Sequence, residues 1–178
     1  MHHLLGGKEK LPPTSSKLEA LRSLIGGTIS ILILLLLGKW THNLLIMAPF
    51  GATCVLLYAA SQSPLAQPRN IIFGHFISAF IGLLFLKFFG ISIFTIALSV
   101  GCAIAVMQLL RCVHPPAGAN PLLILLTGNS IQYEWSFLIF PVLLGSITLV
   151  IVANIVNNIK TKQKWPLYGL ALQHTKKH

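Results

Sequence analysis

RCVHPPAGANPLLILLTG, Arg111–Gly128, sets one histidine and two prolines between a long apolar run and a shorter one that opens on small residues. Proline has no backbone N–H and a fixed φ, so it breaks a helix interior but suits the first turn of a new helix. The stretch therefore predicts one helix ending near Arg111 and another starting at about Pro115. From there to Gly128 the apolar run covers about 13 residues, or roughly 20 Å, against a hydrocarbon core of about 30 Å. It cannot cross a bilayer unaided. A half-length helix with His114, Pro115, Pro116, Gly118, Ala119 and Asn120 at its start would leave free N–H groups and a positive dipole end at membrane depth. An anion is held at such a place.

Composition agrees with a membrane setting. Of 178 residues 54% are hydrophobic and 9% charged, with a mean hydropathy of +0.79, which excludes an ordinary soluble domain. The net charge of +10 comes from 13 Lys and Arg against three Glu and no Asp. Most of it lies in terminal tails and short loops beside apolar runs, which points to positive-inside topology and anionic lipid and away from nucleic acid. Cys54, Cys102 and Cys112 have no metal or disulfide spacing and read as small buried apolar residues. The first apolar run follows a polar start, MHHLLGGKEKLPPTSSK, with no cleavage signature, so it is expected to stay as a span. With no transit-peptide pattern, a bacterial inner membrane is expected over a plastid envelope.

Working outward, residues 1–19 read as a cytoplasmic tail in which Ser15 or Ser16 caps the first helix, residues 20–158 as the membrane domain, and residues 159–178 as a basic juxtamembrane tail. The membrane domain is all-α, with six apolar segments at about Leu21–Gly38, Leu44–Ala60, Ile71–Phe89, Ser92–Leu110, Pro115–Gly128 and Trp135–Asn157. Lys39, Trp40 and His42 mark the exit of the first. Gly26, Gly27 and Ser30, then Gly74, Ser78 and Gly82, then Ala97, Gly101 and Ala105 form small-residue stripes suited to close helix packing. The second segment breaks at Pro49. Pro49-x-Gly51-Ala52 matches Pro116-x-Gly118-Ala119 at an offset of 67 residues, with Thr53 against Asn120. Each block sits second in a group of three segments, so two pseudo-repeats are expected, about 21–90 and 91–158, with two short Pro-broken helices that cross or re-enter. If all six cross, every one of the 13 Lys and Arg except Lys39 and Lys87 shares one side; if the short pair re-enters, Lys39, Arg69 and Arg111 fall outside. The charge rule favours six crossings with both ends cytoplasmic, by one residue.

HPPAGANPL, together with APFGATCVLLYAASQSPLAQPRNIIFGH, resembles the HPP family of integral membrane proteins, and the likeness runs from about Leu21 to Tyr168. It implies a small multi-spanning bundle and, from the cyanobacterial and chloroplast members, movement of nitrite across a membrane. The Lys160–Tyr168 stretch resembles the family's C-terminal end and is expected at the lipid surface.

Moving an anion through a bilayer means offsetting a desolvation cost of at least several kcal/mol. One helix end supplies about 0.3–2 kcal/mol and each charge-assisted hydrogen bond about 1.5–3. Two proline blocks together suffice where one does not. The expected site therefore faces His114, Pro115, Pro116, Gly118, Ala119 and Asn120 against Pro49, Gly51, Ala52 and Thr53, with His75 near the Gly74 stripe. No carboxylate lies inside an apolar segment, so coupling by carboxylate is not expected; if protons are carried at all, His75 and His114 are the candidates, and a channel-like or facilitated pathway fits the sequence equally well. A plainer role is open to each: the block as a helix break whose His caps a neighbour, His75 as an interhelical hydrogen-bonder, Arg111 as an anchor. Catalysis has no paired carboxylates, nucleophile elbow or phosphate loop to stand on, and no cofactor is expected. The expectation is passage of a small anion, nitrite first, by a chain small enough to need a homo-oligomer; a non-transporting scaffold is the alternative.

Overall fold

The computed structural model describes residues 14–42, 46–161 and 163–170. Most of the N-terminal tail, Leu44 at the expected start of the second segment, and Lys162 and residues 171–178 of the basic tail lie outside these. Every regular element among the described residues is helical: α1 (Lys17–Thr41), α2 (Ala48–Ala59), α3 (Pro68–Phe89), α4 (Ile93–Leu109), α5 (Asn120–Thr127) and α6 (Leu144–Asn158). α1, α3 and the stretch Trp135–Asn158 that ends in α6 are long and apolar enough to cross a membrane.

The boundaries follow local chemistry. Ser16 caps α1, taking the Glu19 N–H at 3.2 Å while the Glu19 carboxylate takes the Ser16 N–H at 2.7 Å. His42, at φ 54°, closes it in the left-handed region. α2 and α3 carry a proline in their first turn. Two breaks depart from expectation. The helix does not restart at Pro115: Pro115–Ala119 form a 3-10 turn, and α5 runs only from Asn120 to Thr127. Two successive prolines withhold two N–H donors, so the turn closes on short-range bonds such as Ala117 N–H to His114 O at 2.9 Å. The last span is not continuous either. Phe140 has φ −122° and ψ 110°, outside the helical region, Pro141 has no N–H to continue a helix, and α6 proper starts at Leu144.

α3 is the axis of the bundle, packing against α4, α5 and α6 and meeting α2 through Thr53 and Phe50 at His75, while α1 leans on α2 and α6 from outside. Successive segments alternate in direction. Ser23 Oγ donates to Tyr58 O at 3.0 Å, Asn157 to Leu57 O at 2.9 Å and Asn70 to Val113 O at 2.7 Å, gathering the α1 start, the α2 and α6 ends, the α3 start and the 110–114 loop at one end. At the other, Lys87 meets Glu134 at 3.2 Å.

The surface is apolar, with Ile93 and Leu109 more than four-fifths exposed, whereas Ser30, Thr53, His75, Ser78, His114 and Asn120 are buried. Polar inside and apolar outside is the pattern of a bundle that meets lipid. The Gly74–Ser78–Gly82 stripe packs as expected. A Cβ on Gly74 would lie 2.8 Å from His114 Cβ, and one on Gly82 would lie 3.0 Å from Pro121 Cα. On α1, Gly26 lies under the Tyr58 ring, and Ser30 bonds its hydroxyl at 2.6 Å. Gly27 faces open space. Ala97, Gly101 and Ala105 are corrected: they lie on the exposed face of α4, and Ser99, Ala103 and Met107 face inward instead. Of the cysteines, Cys54 and Cys112 are buried and Cys102 is half-buried.

The basic C-terminal stretch does not simply spread along the surface. Trp165 is buried and its indole N–H donates to Ala66 O at 3.2 Å. Gln67 Oε1 takes the Leu167 N–H at 2.7 Å, and Tyr168 bonds Asn70 at 2.8 Å as well as Pro64 O. An aromatic side chain with one donor fits a half-apolar crevice better than open lipid. Residues 163–170 thus cover the 61–67 loop.

Candidate functional site

Three segments bring their polar residues to one point. Thr53 stands one turn into α2, where its hydroxyl can reach back to Pro49 O at 3.2 Å. His75 and Ser78, three apart, share a face of α3. His114 precedes the 3-10 turn, and Asn120 is the first residue of α5. Gly74 lets His114 close on α3, since any side chain there would meet it. All five polar side chains are at most 1% exposed.

The hydrogen bonds form one chain. His114 Nδ1 lies 2.9 Å from Leu65 O. A carbonyl only accepts, so Nδ1 carries the proton and, in the neutral ring, Nε2 does not. Thr53 Oγ lies 2.9 Å from that Nε2 and donates to it. The same oxygen lies 2.8 Å from His75 Nε2, which must then be the protonated nitrogen of its ring. That leaves His75 Nδ1 to accept from the Asn120 amide at 3.1 Å. Asn120 Nδ2 also reaches His75 O at 3.1 Å and Ser78 Oγ at 2.8 Å, and Ser78 donates to His75 O at 3.1 Å. The reverse amide orientation would set oxygen against the His75 carbonyl, so these contacts fix it. Donation runs one way, from Asn120 through His75, Thr53 and His114 to Leu65. Asn120 Oδ1 is left buried with no hydrogen-bond partner among the described residues. The rings lie edge to face, His75 5.1 Å from His114 and 5.0 Å from Phe50.

Of the residues expected here, Thr53, His75, His114 and Asn120 converge, and Pro49 and Pro116 are buried beside them. Gly51, Ala52 and Pro115 are exposed, and a Cβ on Gly51 would meet nothing within 4 Å. Successive helical residues turn by about 100°, so with Thr53 inward its two predecessors look outward. The expected facing of Gly51–Ala52 on Gly118–Ala119 is therefore corrected; the latter pair is half-buried. Nor do the two helix starts offer a free donor array. Phe50 N–H is spent on Met47 O at 2.9 Å, and Ala117 and Asn120 N–H within the turn. Ser78 and Leu65 were not expected. Ser78 could have been found from its three-residue spacing to His75; a loop carbonyl leaves no trace in sequence.

The family profile described as "HPP, transmembrane region" matches residues 12–166, which includes every residue of this network. The chain belongs to the HPP transmembrane family. Its signature His114-Pro115-Pro116 is thereby given a structural meaning, since the histidine enters the network and the prolines force the turn that carries it there. Two transmembrane proteins of Dictyostelium discoideum are similar, one 33% and one 31% identical, each across 91% of this chain. The chain spans 55% and 60% of their lengths. Neither relative is bacterial, so they lend the expected inner-membrane location no support. No solved structure matches the chain. An integral membrane protein of this family is what the apolar helices and the profile establish together.

Proposed function

We propose that this HPP-family chain passes a small monovalent anion, nitrite first, and that the passage runs by the Thr53–His75–His114–Asn120 network and not by open helix ends. The observation that supports it is the burial of two imidazoles, a hydroxyl and an amide, with no fixed charge among them, where both proline blocks meet α3. Burying such groups is costly, and in membrane interiors polar clusters usually mark a pathway. The same reading takes the two three-segment groups as inverted pseudo-repeats, with Thr53 and Asn120 as their matching polar residues. It places the end that holds Arg22, Arg69 and Arg111 at the cytoplasmic face, with anionic lipid around it. It gives the chain no catalytic role and takes the working unit as a homo-oligomer.

Anion entry into proteoliposomes tests it, with nitrite, nitrate, formate and chloride compared for the native chain and for His114→Ala with Asn120→Ala. Entry selective for nitrite and lost in the variant is expected. Entry that survives both substitutions moves the pathway elsewhere, and folded protein that passes no anion leaves a membrane scaffold as the better reading.

A further inference from the structure

What travels with the anion can be read from the donor count, on the footing of the passage proposed above. In the neutral network every imidazole and amide proton is already given to an acceptor, and the one buried side-chain nitrogen or oxygen without a partner among the described residues is an oxygen, Asn120 Oδ1. Among the described residues no lysine or arginine enters it. A bare anion arriving there meets a lone pair and no proton, which is repulsive. Positive charge has to come with it.

The network has one place for such a charge. The Thr53 hydroxyl has two acceptors in reach, His114 Nε2 at 2.9 Å and Pro49 O at 3.2 Å. When Nε2 gains a proton, Thr53 turns its own proton to Pro49 O and accepts from both imidazoles, so no donor faces a donor. His75 has no such freedom, because its Nδ1 already faces the Asn120 amide protons at 3.1 Å. Around His114 the titratable or charged groups are His75 and Arg69 on α3 and Cys112 and Arg111 just before it in the chain. The Arg69 guanidinium is held at the rim by the carbonyls of Leu110, Arg111 and Leu170, at 2.9, 3.3 and 2.8 Å, and Tyr168 sits on Pro64 O and Asn70. α2 contributes Thr53 and α4 contributes Met107, and neither titrates.

We propose that each monovalent anion crosses with one proton, held on His114 Nε2, and that the Thr53 hydroxyl is the switch that admits it. On entry an O–H bond of hydronium or of nitrous acid breaks as the Nε2–H bond forms; on exit the Nε2–H bond breaks and the proton returns to water or to the anion. Anion and proton leave together, so no net charge moves.

The test uses the full chain in potassium-loaded proteoliposomes with a pH dye inside, nitrite outside, and protein-free vesicles subtracted for nitrous acid that crosses lipid unaided. The expected result is one proton entering per nitrite, with a protein-dependent rate that stays within about twofold when valinomycin imposes a potential of either sign. Thr53→Val should reduce protein-dependent proton entry about tenfold, as befits two buried nitrogens left without a partner, and Thr53→Ser should restore it. Protein-dependent nitrite entry that follows the potential with no proton overturns the coupling and leaves anion passage standing. Folded Thr53→Val that moves protons with nitrite at the native rate overturns the switch. No protein-dependent entry sinks both readings. Should Thr53→Val fail to fold, the potential and proton measurements on the native chain decide alone.

Discussion

Gly74→Ala tests whether the HPP turn must press against α3. The added Cβ would stand 2.8 Å from His114 Cβ and 3.0 Å from Cys112 O, with Met107 Sδ at 3.5 Å. Carbon atoms settle near 3.5–4.0 Å, and neither of the first two atoms is the free end of a flexible side chain. The turn must therefore back away by about 0.7 Å to regain ordinary contact. His114 Nε2 now lies 2.9 Å from Thr53 Oγ and Nδ1 lies 2.9 Å from Leu65 O. A retreat of that size brings either bond to about 3.6 Å, beyond useful hydrogen bonding. Overpacking of this kind costs about 1–3 kcal/mol. The variant should unfold at a lower temperature in detergent and pass nitrite about tenfold more slowly, as the loss of one such bond implies. Gly101→Ala is the control, since a Cβ there meets nothing within 4 Å and the helix gains about 1 kcal/mol of propensity. If Gly74→Ala melts and transports like the native chain, the idea that a glycine seats the signature histidine is refuted.

Tyr58→Phe removes the hydroxyl that meets Ser30 at 2.6 Å. A double-mutant cycle with Ser30→Ala in detergent unfolding should give a coupling of about 0.6 kcal/mol, and at most about 1.7. Trp165→Phe keeps the ring but loses the bond to Ala66 O, so the cover over the 61–67 loop should loosen; limited proteolysis should cut near residue 163 sooner than in the native chain. Lys87→Gln breaks the bundle's contact with Glu134 at 3.2 Å, a partly exposed pair, and thermal melts should register less than about 1 kcal/mol.

Elements were legible where a single local rule decided them. Long apolar runs and proline punctuation place α1, α3 and α4 within a few residues, and the cap expected at Ser15 or Ser16 falls on Ser16, in a box with Glu19. Two rules competed at the breaks. The apolar run after Pro115 predicts a helix, but the missing N–H groups of Pro115 and Pro116 turn its first five residues into a 3-10 turn, and Pro141 likewise undoes the helix at Phe140. In the site, the offset of 67 residues picked two polar residues that the fold brings together, since Thr53 and Asn120 both land on His75. It misled on Gly51 and Ala52, because identity along a sequence says nothing of which way a helix face turns. The proton positions depend on Leu65 O, a contact 49 residues from His114 that only the fold creates.

That no Lys or Arg among the described residues enters the network bears on how a passage of this kind could turn over. A fixed cation would hold an anion at the bilayer centre, where few water dipoles compete, and binding strong enough to admit an ion can be too strong to release it. A helix end, with about half a charge, avoids that trap but offsets too little of the desolvation cost. A histidine whose extra proton is admitted by one hydroxyl rotation is charged while an anion is near and neutral once the proton leaves. Release then needs no opposing charge. The same reasoning predicts that Thr53→Lys, even if folded, would bind nitrite more tightly than the native chain and pass it more slowly, as competition by nitrite in the flux assay would show. Tighter binding with faster passage would mean that a fixed charge suffices and that the hydroxyl switch is unnecessary.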